Sequence, residues 1–222
     1  MSDELERVER ELSEVWSVET VLRVKHGVKS HKIVNTLLSM CFPNRLLTVI
    51  DLTYGVGRFY RIARSRIKLL IGVDIVRYAW EIKPDLFYQM PCQMFVDKVL
   101  RNEIVLPGSV DLVVIDPPWS HEKRGVFPKK IGISNMPYHL EFVNSRSIIN
   151  AATRLAKHLN TLLLYRYKEP LSCEHVIKLE AEVRIMHNTG VVHYGICIPG
   201  VKVESTWSEL RGRVTSCPTG AW

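Results

Sequence analysis

The most constraining stretch of the sequence is V-D-L-V-V-I-D-P-P-W-S at residues 110–120, where an apolar run ends in a carboxylate, two prolines and an indole. Residues 112–115 are apolar and mostly β-branched, which is typical of a strand buried on both faces of a parallel sheet. Pro117 and Pro118 cannot continue a strand, because each lacks an N–H and has a fixed φ. Asp116 is therefore predicted at the carboxyl end of the strand, the edge at which open α/β sheets bind ligands.

A second apolar run, residues 46–52, leads directly into a glycine turn, D-L-T-Y-G-V-G at residues 51–57. Glycines at 55 and 57 permit a tight turn and the close approach of a ligand to the backbone. The next apolar run ends at Asp74, 23 residues after Asp51. Such folds place an acid on a ribose at about this distance. We therefore expect Asp51, Asp74 and Asp116 at one edge of the sheet.

Length and composition favour one α/β domain with short extensions. The chain has 222 residues, of which 46% are hydrophobic, enough for a sizeable core. We predict an N-terminal extension with an amphipathic helix over residues 1–25, a main domain over 26–200 and a polar tail over 201–222. The extension and the tail are the expected surfaces for a protein partner or a second copy. No apolar run approaches the roughly 20 residues that span a bilayer, so we expect a cytoplasmic protein without membrane contact.

The charge is distributed unevenly. Residues 1–19 contain seven acids and two arginines, a net of −5, and since the whole chain carries +7, residues 20–222 carry +12. A basic body favours a polyanionic partner, because phosphate contacts by Lys and Arg supply most non-specific nucleic-acid affinity. The alternative is a solvated, charge-rich surface. Nucleic acid is the favoured partner on charge alone.

The five cysteines, at positions 41, 92, 173, 197 and 217, form no C-x-x-C pair and no Cys/His cluster with zinc spacing. The pattern predicts reduced thiols, with neither a disulfide framework nor a structural metal.

The remaining pattern alternates strands and helices. Helices are predicted over residues 31–41, 57–66, 76–82, 95–100, 138–159 and 170–178, and further strands over 68–73, 86–90, 161–167, 181–187 and 191–198. Asn188-Thr189-Gly190 is a hairpin signal between the last two strands. In the helix at 57–66, Arg58, Arg61 and Arg64 form a basic stripe that is either solvated or in contact with phosphate. The order predicts a mostly parallel sheet with helices on both faces and an antiparallel pair at the end.

Residues 120–130 hold four Lys or Arg residues, a glycine and a proline without periodicity. Their place after the ligand-binding edge favours a lid on the substrate side over a surface insertion. Its candidate substrate-binding residues are His121, Lys123, Arg124, Lys129 and Lys130.

The glycine turn, Asp74 and the later D-P-P-W together resemble the class I, Rossmann-like methyltransferases that use S-adenosyl-L-methionine, and within them the amino-methyltransferases of nucleic acids. The resemblance covers residues 26–198 and implies a seven-stranded, mostly parallel sheet ending in an antiparallel hairpin. The glycine motif precedes D-P-P-W, as in the unpermuted enzymes. Thr53 and Tyr54 depart from the residues usual at the turn of the DNA enzymes.

The resemblance implies a role for each motif and requires no metal. S-adenosyl-L-methionine would be bound by five residues of the first half: Asp51, Thr53, Gly55, Gly57 and Asp74. Asp116 and the carbonyl of Pro117 would accept hydrogen bonds from the target amine, Pro118 would stiffen the loop, and Trp119 would stack on the base.

Adenine N6, in RNA or DNA, is the first expected target, because the Asp form of the motif with an aromatic fourth residue is most similar to the adenine enzymes. Cytosine N4 and protein glutamine are alternative acceptors. A catalytically silent nucleic-acid-binding subunit is an alternative of another class. A dinucleotide oxidoreductase is less well matched, since position 60 is Tyr where the fuller G-x-G-x-x-G motif has Gly.

Overall fold

The computed structural model describes residues 21–24, 28–117, 144–185 and 188–199. Its strands are β1 Val21–Val24, β2 Leu47–Asp51, β3 Ile67–Asp74, β4 Leu86–Gln89, β5 Leu112–Ile115, β6 Leu162–Tyr167, β7 Glu174–Ile185 and β8 Asn188–Ile198. The helices are α1 Ser30–Cys41, α2 Tyr60–Ala63, α3 Cys92–Leu100 and α4 Ser145–His158, with a 3₁₀ turn at Arg64–Arg66. Across these residues no helix has the length and apolar character needed to cross a membrane.

All eight strands form one sheet in the order β1-β7-β8-β6-β5-β2-β3-β4. β8 is antiparallel to both of its neighbours, β6 and β7, and every other pairing is parallel. Seven of the strands therefore make the predicted mostly parallel sheet with an antiparallel hairpin at its end, which confirms the fold class. β1 is an additional strand, and it belongs to the segment assigned to the extension at residues 1–25. The amphipathic helix predicted there and the tail at 201–222 lie outside the described residues.

Helices cover both faces of the sheet, as predicted. On one face, α1 packs Ile33, Leu37 and Leu38 against alternate residues of the strands, including Val49. On the other face, α3 and α4 pack around the opposite alternation, with Phe95 and Leu155 fully buried. β5 is buried along its whole length. Its continuous apolar run follows from having a helix layer on each side.

Two predicted helices are wrong. Residues 170–178 do not form a helix, because β7 begins at Glu174 and pairs with β8 from Glu174 to Ile185. The long hairpin ladder overrides the local helical signal of Pro170 and Ser172, since burial and pairing outweigh propensity. The hairpin itself is present, but Asn188, Thr189 and Gly190 are paired residues of β8 and not its turn. Residues 76–82 are irregular, and the Glu81 N–H donates to the Val56 carbonyl over 2.9 Å.

The helix predicted at 57–66 is also shorter than expected. It contains only one turn of α-helix, α2, followed by the 3₁₀ turn at Arg64–Arg66. Gly55 and Gly57 both have positive φ, at +57° and +78°. A backbone in that region cannot continue into a right-handed helix, so the helix begins only at Tyr60. The strand predicted at 181–187 begins seven residues earlier, at Glu174. The other predicted elements are present within a few residues of the expected bounds, although residues 138–143 of the predicted long helix lie outside the described part.

The prediction of reduced thiols is wrong for Cys173 and Cys197, which form a disulfide with a Cα–Cα separation of 6.0 Å. The pairing arises from the register of the hairpin, in which His175 of β7 lies opposite Cys197 of β8. The two cysteines are 24 residues apart along the chain. The spacing of cysteines in the sequence does not reveal that a hairpin brings them together. Cys41 and Cys92 are buried free thiols, and Cys217 lies outside the described residues.

Candidate active site

Three carboxylates lie where adjacent parallel strands end. Asp51 is the last residue of β2, Asp74 is the last residue of β3, and Asp116 directly follows β5. β2 lies between the other two strands, and Asp51 is in register with Gly72 on one side and Val114 on the other. Parallel strands that end together place their carboxyl-terminal side chains at one edge. Asp51 and Asp116 are close enough for the charge of Asp116 to raise the pKa of Asp51.

Asp51 is the most deeply buried of these carboxyls, with 3% of its surface exposed. One of its oxygens accepts from the Thr53 N–H over 2.9 Å, and the other accepts from the Tyr60 hydroxyl over 2.7 Å. Burial raises the pKa of Asp51 to about 7, and the nearby charges of Asp116 and Asp74 act in the same direction. Asp51 thus titrates near neutral pH and ties the start of the glycine turn to α2.

The two glycines of the turn have different surroundings. A Cβ built at Gly57 would lie 2.5 Å from the Ile82 carbonyl oxygen and 2.7 Å from the Tyr54 hydroxyl. A Cβ at Gly55 would meet nothing nearer than the Thr53 carbonyl oxygen at 4.0 Å. Gly57 is therefore required for packing inside the protein. Gly55 is the glycine that leaves room for a ligand to approach the backbone.

Tyr54, the aromatic residue that departs from the usual glycine turn, is accommodated by contacts inside the protein. Its hydroxyl donates to the Ile82 carbonyl over 2.7 Å. Its ring lies against Gly72 of β3, where a Cβ would be 2.8 Å from the ring carbon Cγ. The side chain is buried and points into the protein, with its ring stacked on Tyr60 at 5.8 Å between centroids. Tyr54 thus holds the loop after β3 against the turn.

Asp74 closes the turn from the side of β3. Its Oδ2 accepts from the Gly55 N–H over 2.8 Å and its Oδ1 accepts from the Val76 N–H over 3.1 Å. Burial raises the pKa of Asp74 above its ordinary value, against the effect of these two hydrogen bonds. Each carboxylate oxygen has a second lone pair, so the contacts to the backbone are compatible with further hydrogen bonds to hydroxyls of a ligand.

Thr53 connects the two halves of the site. Its hydroxyl accepts from the Asp116 N–H over 2.7 Å and lies 3.4 Å from Asp51 Oδ1, to which it donates. The side chain of one turn residue therefore contacts both the carboxyl at the end of β2 and the residue that follows β5. Sequence reasoning placed Thr53 with the cofactor only and did not predict this link.

Asp116 forms an ion pair with Arg166 of β6 that the sequence analysis missed. Arg166 Nη1 donates to both carboxylate oxygens, over 3.1 and 2.9 Å. Burial lowers the pKa of Arg166, but the negative Asp116 outweighs it and leaves the pKa above its ordinary value. The available signal was a lone arginine in T-L-L-L-Y-R-Y, near the carboxyl end of an otherwise buried strand. Pro117 is buried beside the pair.

The three arginines of the basic stripe at residues 58–64 pair with two acids of the same domain. Arg58 and Arg61 both pair with Glu81, and Arg64 pairs with Asp85 over 2.6 Å. These ion pairs connect the region of α2 with the loop between β3 and β4. Arg58 is 70% exposed, in keeping with the solvated alternative, and the intramolecular ion pairs are a further role of the stripe.

Seven of the predicted site residues lie outside the described residues: Pro118, Trp119, His121, Lys123, Arg124, Lys129 and Lys130. Within the described ranges, no group of three or more His, Cys, Asp or Glu side chains is arranged to hold a metal ion. The described edge consists of three carboxyls, one arginine and an open glycine backbone. This arrangement suits a ligand with positive charge and hydroxyl groups on one side and a hydrogen-bond donor on the other.

No protein-family model matches the chain, and no curated protein matches it. Among solved structures, a candidate RNA methyltransferase of Pyrococcus horikoshii superposes with a TM-score of 0.51 and 12% identity, covering 78% of this chain and 85% of that one. A SAM-dependent methyltransferase of Agrobacterium tumefaciens gives a TM-score of 0.48 with 15% identity over 78% and 64% of the two chains. The similarity to the first of these is one of fold, and together with the sheet order it shows that this chain has a Rossmann-like fold.

Proposed function

We propose that the protein is a methyltransferase that uses S-adenosyl-L-methionine and methylates an exocyclic amine of a nucleic-acid base, with adenine N6 as its first target. The observation that carries the proposal is the meeting of two half-sites at adjoining strand ends. The glycine turn with Asp51 and Asp74 is one half, and Asp116-Pro117 is the other. The Thr53 hydroxyl touches both.

The first half fits the cofactor in shape and charge. Gly55 leaves its backbone open to close approach, and Asp74 has acceptor oxygens for ribose hydroxyls. S-adenosyl-L-methionine carries a cationic sulfonium and an ammonium group, and its sulfonium provides an electrophilic methyl group. Asp51 and Asp74 favour a cation when they are ionised, because opposite charges attract in a partly buried site. Asp51 and Asp74 would bind it, and no metal is needed.

The second half fits an amine as acceptor. Asp116 accepts from Arg166 through both oxygens, and an ionised carboxylate accepts hydrogen bonds but cannot donate them. An NH₂ group supplies two donors, one for Asp116 and one for the Pro117 carbonyl. These bonds turn the nitrogen lone pair out of the plane of the base and toward the methyl group. Bound S-adenosyl-L-methionine would supply the methyl group and leave as the neutral thioether, which takes the electron pair of the C–S bond, and the methylated amine would lose a proton to solvent.

Nucleic acid as the substrate is supported by charge and by the neighbouring loop. Residues 20–222 carry a net +12, and the candidate lid after the D-P-P motif contributes four Lys or Arg residues and His121. The fold neighbour from Pyrococcus horikoshii is itself a candidate RNA methyltransferase. Asp, rather than Ser or Asn, in the first position of the motif favours adenine N6 over cytosine N4 and protein glutamine. Trp119 would stack on the extruded or unpaired base.

The ion pair of Asp116 is also the observation that favours a second candidate function. If Arg166 occupied the acceptor oxygens permanently, the protein would be a catalytically silent subunit that binds nucleic acid. The two functions differ in their need for the cofactor. A silent subunit has no requirement for S-adenosyl-L-methionine, whereas the enzyme must bind it.

The proposal is tested by calorimetric titration with S-adenosyl-L-methionine, followed by transfer of a labelled methyl group to total RNA and to genomic DNA. Mass spectrometry of the digested nucleosides then names the base, the atom and the polymer. We expect binding and N6-methyladenosine or its deoxy form. Absence of cofactor binding would favour the silent subunit over the enzyme. Label found on protein alone would overturn the nucleic-acid substrate and indicate a protein amine or amide as the acceptor.

A further inference from the structure

The side chain of Asp116 is the first member of a hydrogen-bonded chain that crosses the sheet. Arg166 Nη1 donates to both Asp116 oxygens, and Arg166 Nε donates to the Tyr194 hydroxyl over 2.9 Å. The Tyr194 hydroxyl in turn donates to Ser30 Oγ over 3.0 Å. The four residues belong to the end of β5, β6, β8 and the first turn of α1. None of the last three is part of a motif in the sequence.

We propose that Arg166 is a positioning residue for methyl transfer, acting through Asp116 and held in place by Tyr194. The inference rests on the proposed function, since it concerns the orientation of the group that accepts the target amine. The two hydrogen bonds from Arg166 Nη1 fix the rotation of the carboxylate before substrate arrives. An acceptor fixed in advance needs no reorganisation when the lone pair of the amine is turned toward the methyl group.

The ion pair orients the carboxylate through both of its oxygens. Nη1 contacts one acceptor position on each Asp116 oxygen, and an ionised carboxylate has about four such positions. Two contacts from one guanidinium nitrogen fix the plane of the carboxylate more firmly than a single contact would. Both side chains are about three-quarters buried, with exposed fractions of 20% for Arg166 and 26% for Asp116. Solvent screens such a pair less than it screens an exposed one.

Tyr194 fixes the guanidinium from the other side. Its side chain is fully buried, and the guanidinium carbon of Arg166 lies 5.8 Å from the centre of the ring. Nε is directed at the hydroxyl while Nη1 is directed at Asp116, so the rigid planar guanidinium transmits its orientation from β8 to the end of β5. Ser30, in the first turn of α1, accepts the last hydrogen bond of the series.

A matched control exists at the opposite end of β5. Arg45 forms an ion pair with Asp111, which precedes β5, and Asp111 also accepts from the Thr48 N–H over 2.8 Å. Arg45→Met and Arg166→Met therefore each remove one arginine from an aspartate that flanks the same strand. Only the second lies at the carboxyl edge with Asp51 and Asp74.

The test compares Arg166→Met, Arg166→Lys and Arg45→Met with the wild type in methyl transfer to the nucleic acid identified above. We expect Arg166→Met to lower kcat by about 100- to 1000-fold, in the range found when a single preorganised polar group is lost from a site. The Kd of S-adenosyl-L-methionine and the KM of the nucleic acid should stay within about threefold of wild type. Arg166→Lys should recover part of kcat, because it restores the charge without the planar fork, and Arg45→Met should keep the wild-type kcat.

A double-mutant cycle with Asp116→Asn separates action through Asp116 from a general structural effect. We expect Arg166→Met to cause little further loss of kcat in the Asp116→Asn background, because the group that it positions is already changed. Losses that multiply in the double variant would overturn the proposal.

Failure of the inference is distinguishable from failure of the proposed function. An active wild type with an equally active Arg166→Met overturns the positioning role alone, whereas a wild type that methylates no nucleic acid overturns the proposed function as well. If Arg166→Met does not fold, Arg166→Lys and Tyr194→Phe decide the question. Both are expected to lower kcat, and kcat within twofold of wild type for both would overturn the inference.

Discussion

The hydroxyl of Thr53 accepts a hydrogen bond from the backbone N–H of Asp116 over 2.7 Å. It is the direct link between the glycine turn after β2 and the residue that follows β5. The same hydroxyl lies within 3.4 Å of Asp51. The two motifs that resemble the cofactor and acceptor halves of a methyltransferase are therefore joined by one side chain. The first prediction concerns that link.

Thr53→Val removes the hydroxyl while keeping the shape of the side chain. A partly buried N–H left without its partner costs about 1–3 kcal/mol, so we expect the free energy of unfolding to fall by that amount. Methyl transfer should fall as well, because Asp116 loses its backbone anchor. Thr53→Ser is the control, since it keeps the hydroxyl and should stay closer to wild type in denaturant unfolding. Equal stabilities of the Val variant and the wild type would contradict the prediction.

Asp116→Ala should abolish methyl transfer while leaving the binding of S-adenosyl-L-methionine largely intact, because the proposed cofactor contacts come from the glycine turn and Asp74, whereas the Asp116 side chain is the proposed acceptor of the amine. The variant also leaves Arg166 without its carboxylate, which should lower the free energy of unfolding by about 1–3 kcal/mol. Asp111→Ala at the other end of β5 is the matched control, since it also breaks an aspartate–arginine pair. The measurements are labelled methyl transfer and calorimetric binding. Retained transfer by Asp116→Ala would remove Asp116 from the reaction.

The titration of Asp51 predicts a pH dependence of cofactor affinity. Burial raises the pKa of Asp51 to about 7, so the carboxyl is mostly neutral at pH 6 and mostly ionised at pH 8. A cationic ligand favours the ionised form. Affinity for S-adenosyl-L-methionine should therefore increase with pH through 7, by up to about tenfold per pH unit for one proton released.

Asp51→Asn is the control for this dependence. It removes the contribution of the carboxyl, while any titration of the ligand itself remains, and calorimetry at several pH values separates the two. The same raised pKa predicts that the free energy of unfolding decreases with pH, whereas the cofactor affinity increases. The ordinary value is 3.8, so the folded state holds a proton that the unfolded state has lost. The contribution of Asp51 to the free energy of unfolding is fully present below pH 3.8 and is lost as the pH rises through about 7. An unchanged pH profile in Asp51→Asn would contradict both expectations.

Gly57→Ala should be more damaging than a glycine replacement elsewhere. Its φ is +78°, and a methyl group would lie 2.5 Å from the Ile82 carbonyl oxygen. Gly108 has φ +90° and no atom within 4 Å of an added Cβ. Gly108→Ala is therefore the matched control, because it introduces backbone strain without a steric clash. We expect Gly57→Ala to lose about 1–3 kcal/mol more than Gly108→Ala, the typical cost of overpacking. Thermal unfolding measures the difference, and equal losses would show that the turn can relax.

Local pattern was sufficient for most of the sheet. The apolar runs of β2, β3, β5 and β6 were predicted within two residues, because a strand buried between two helix layers must be continuously apolar. The same logic put Asp51, Asp74 and Asp116 at one edge. Local pattern failed where pairing decides the structure. The segment after Pro170 was predicted as a helix, yet it is part of β7 because its partner strand, more than ten residues away along the chain, has a matching register.

The sequence by itself determined the parallel sheet, the edge at which its carboxylates meet and the motifs that resemble a methyltransferase, because these depend on periodicity and on residues adjacent in the chain. Only the tertiary structure decided the partners of those motifs. Arg166 and Tyr194 are 50 and 78 residues from Asp116 along the chain, and Cys173 meets Cys197 only through the hairpin register. A side chain signals its residue type but not the strand that will lie beside it, so contacts across the sheet become visible only when the strands are packed.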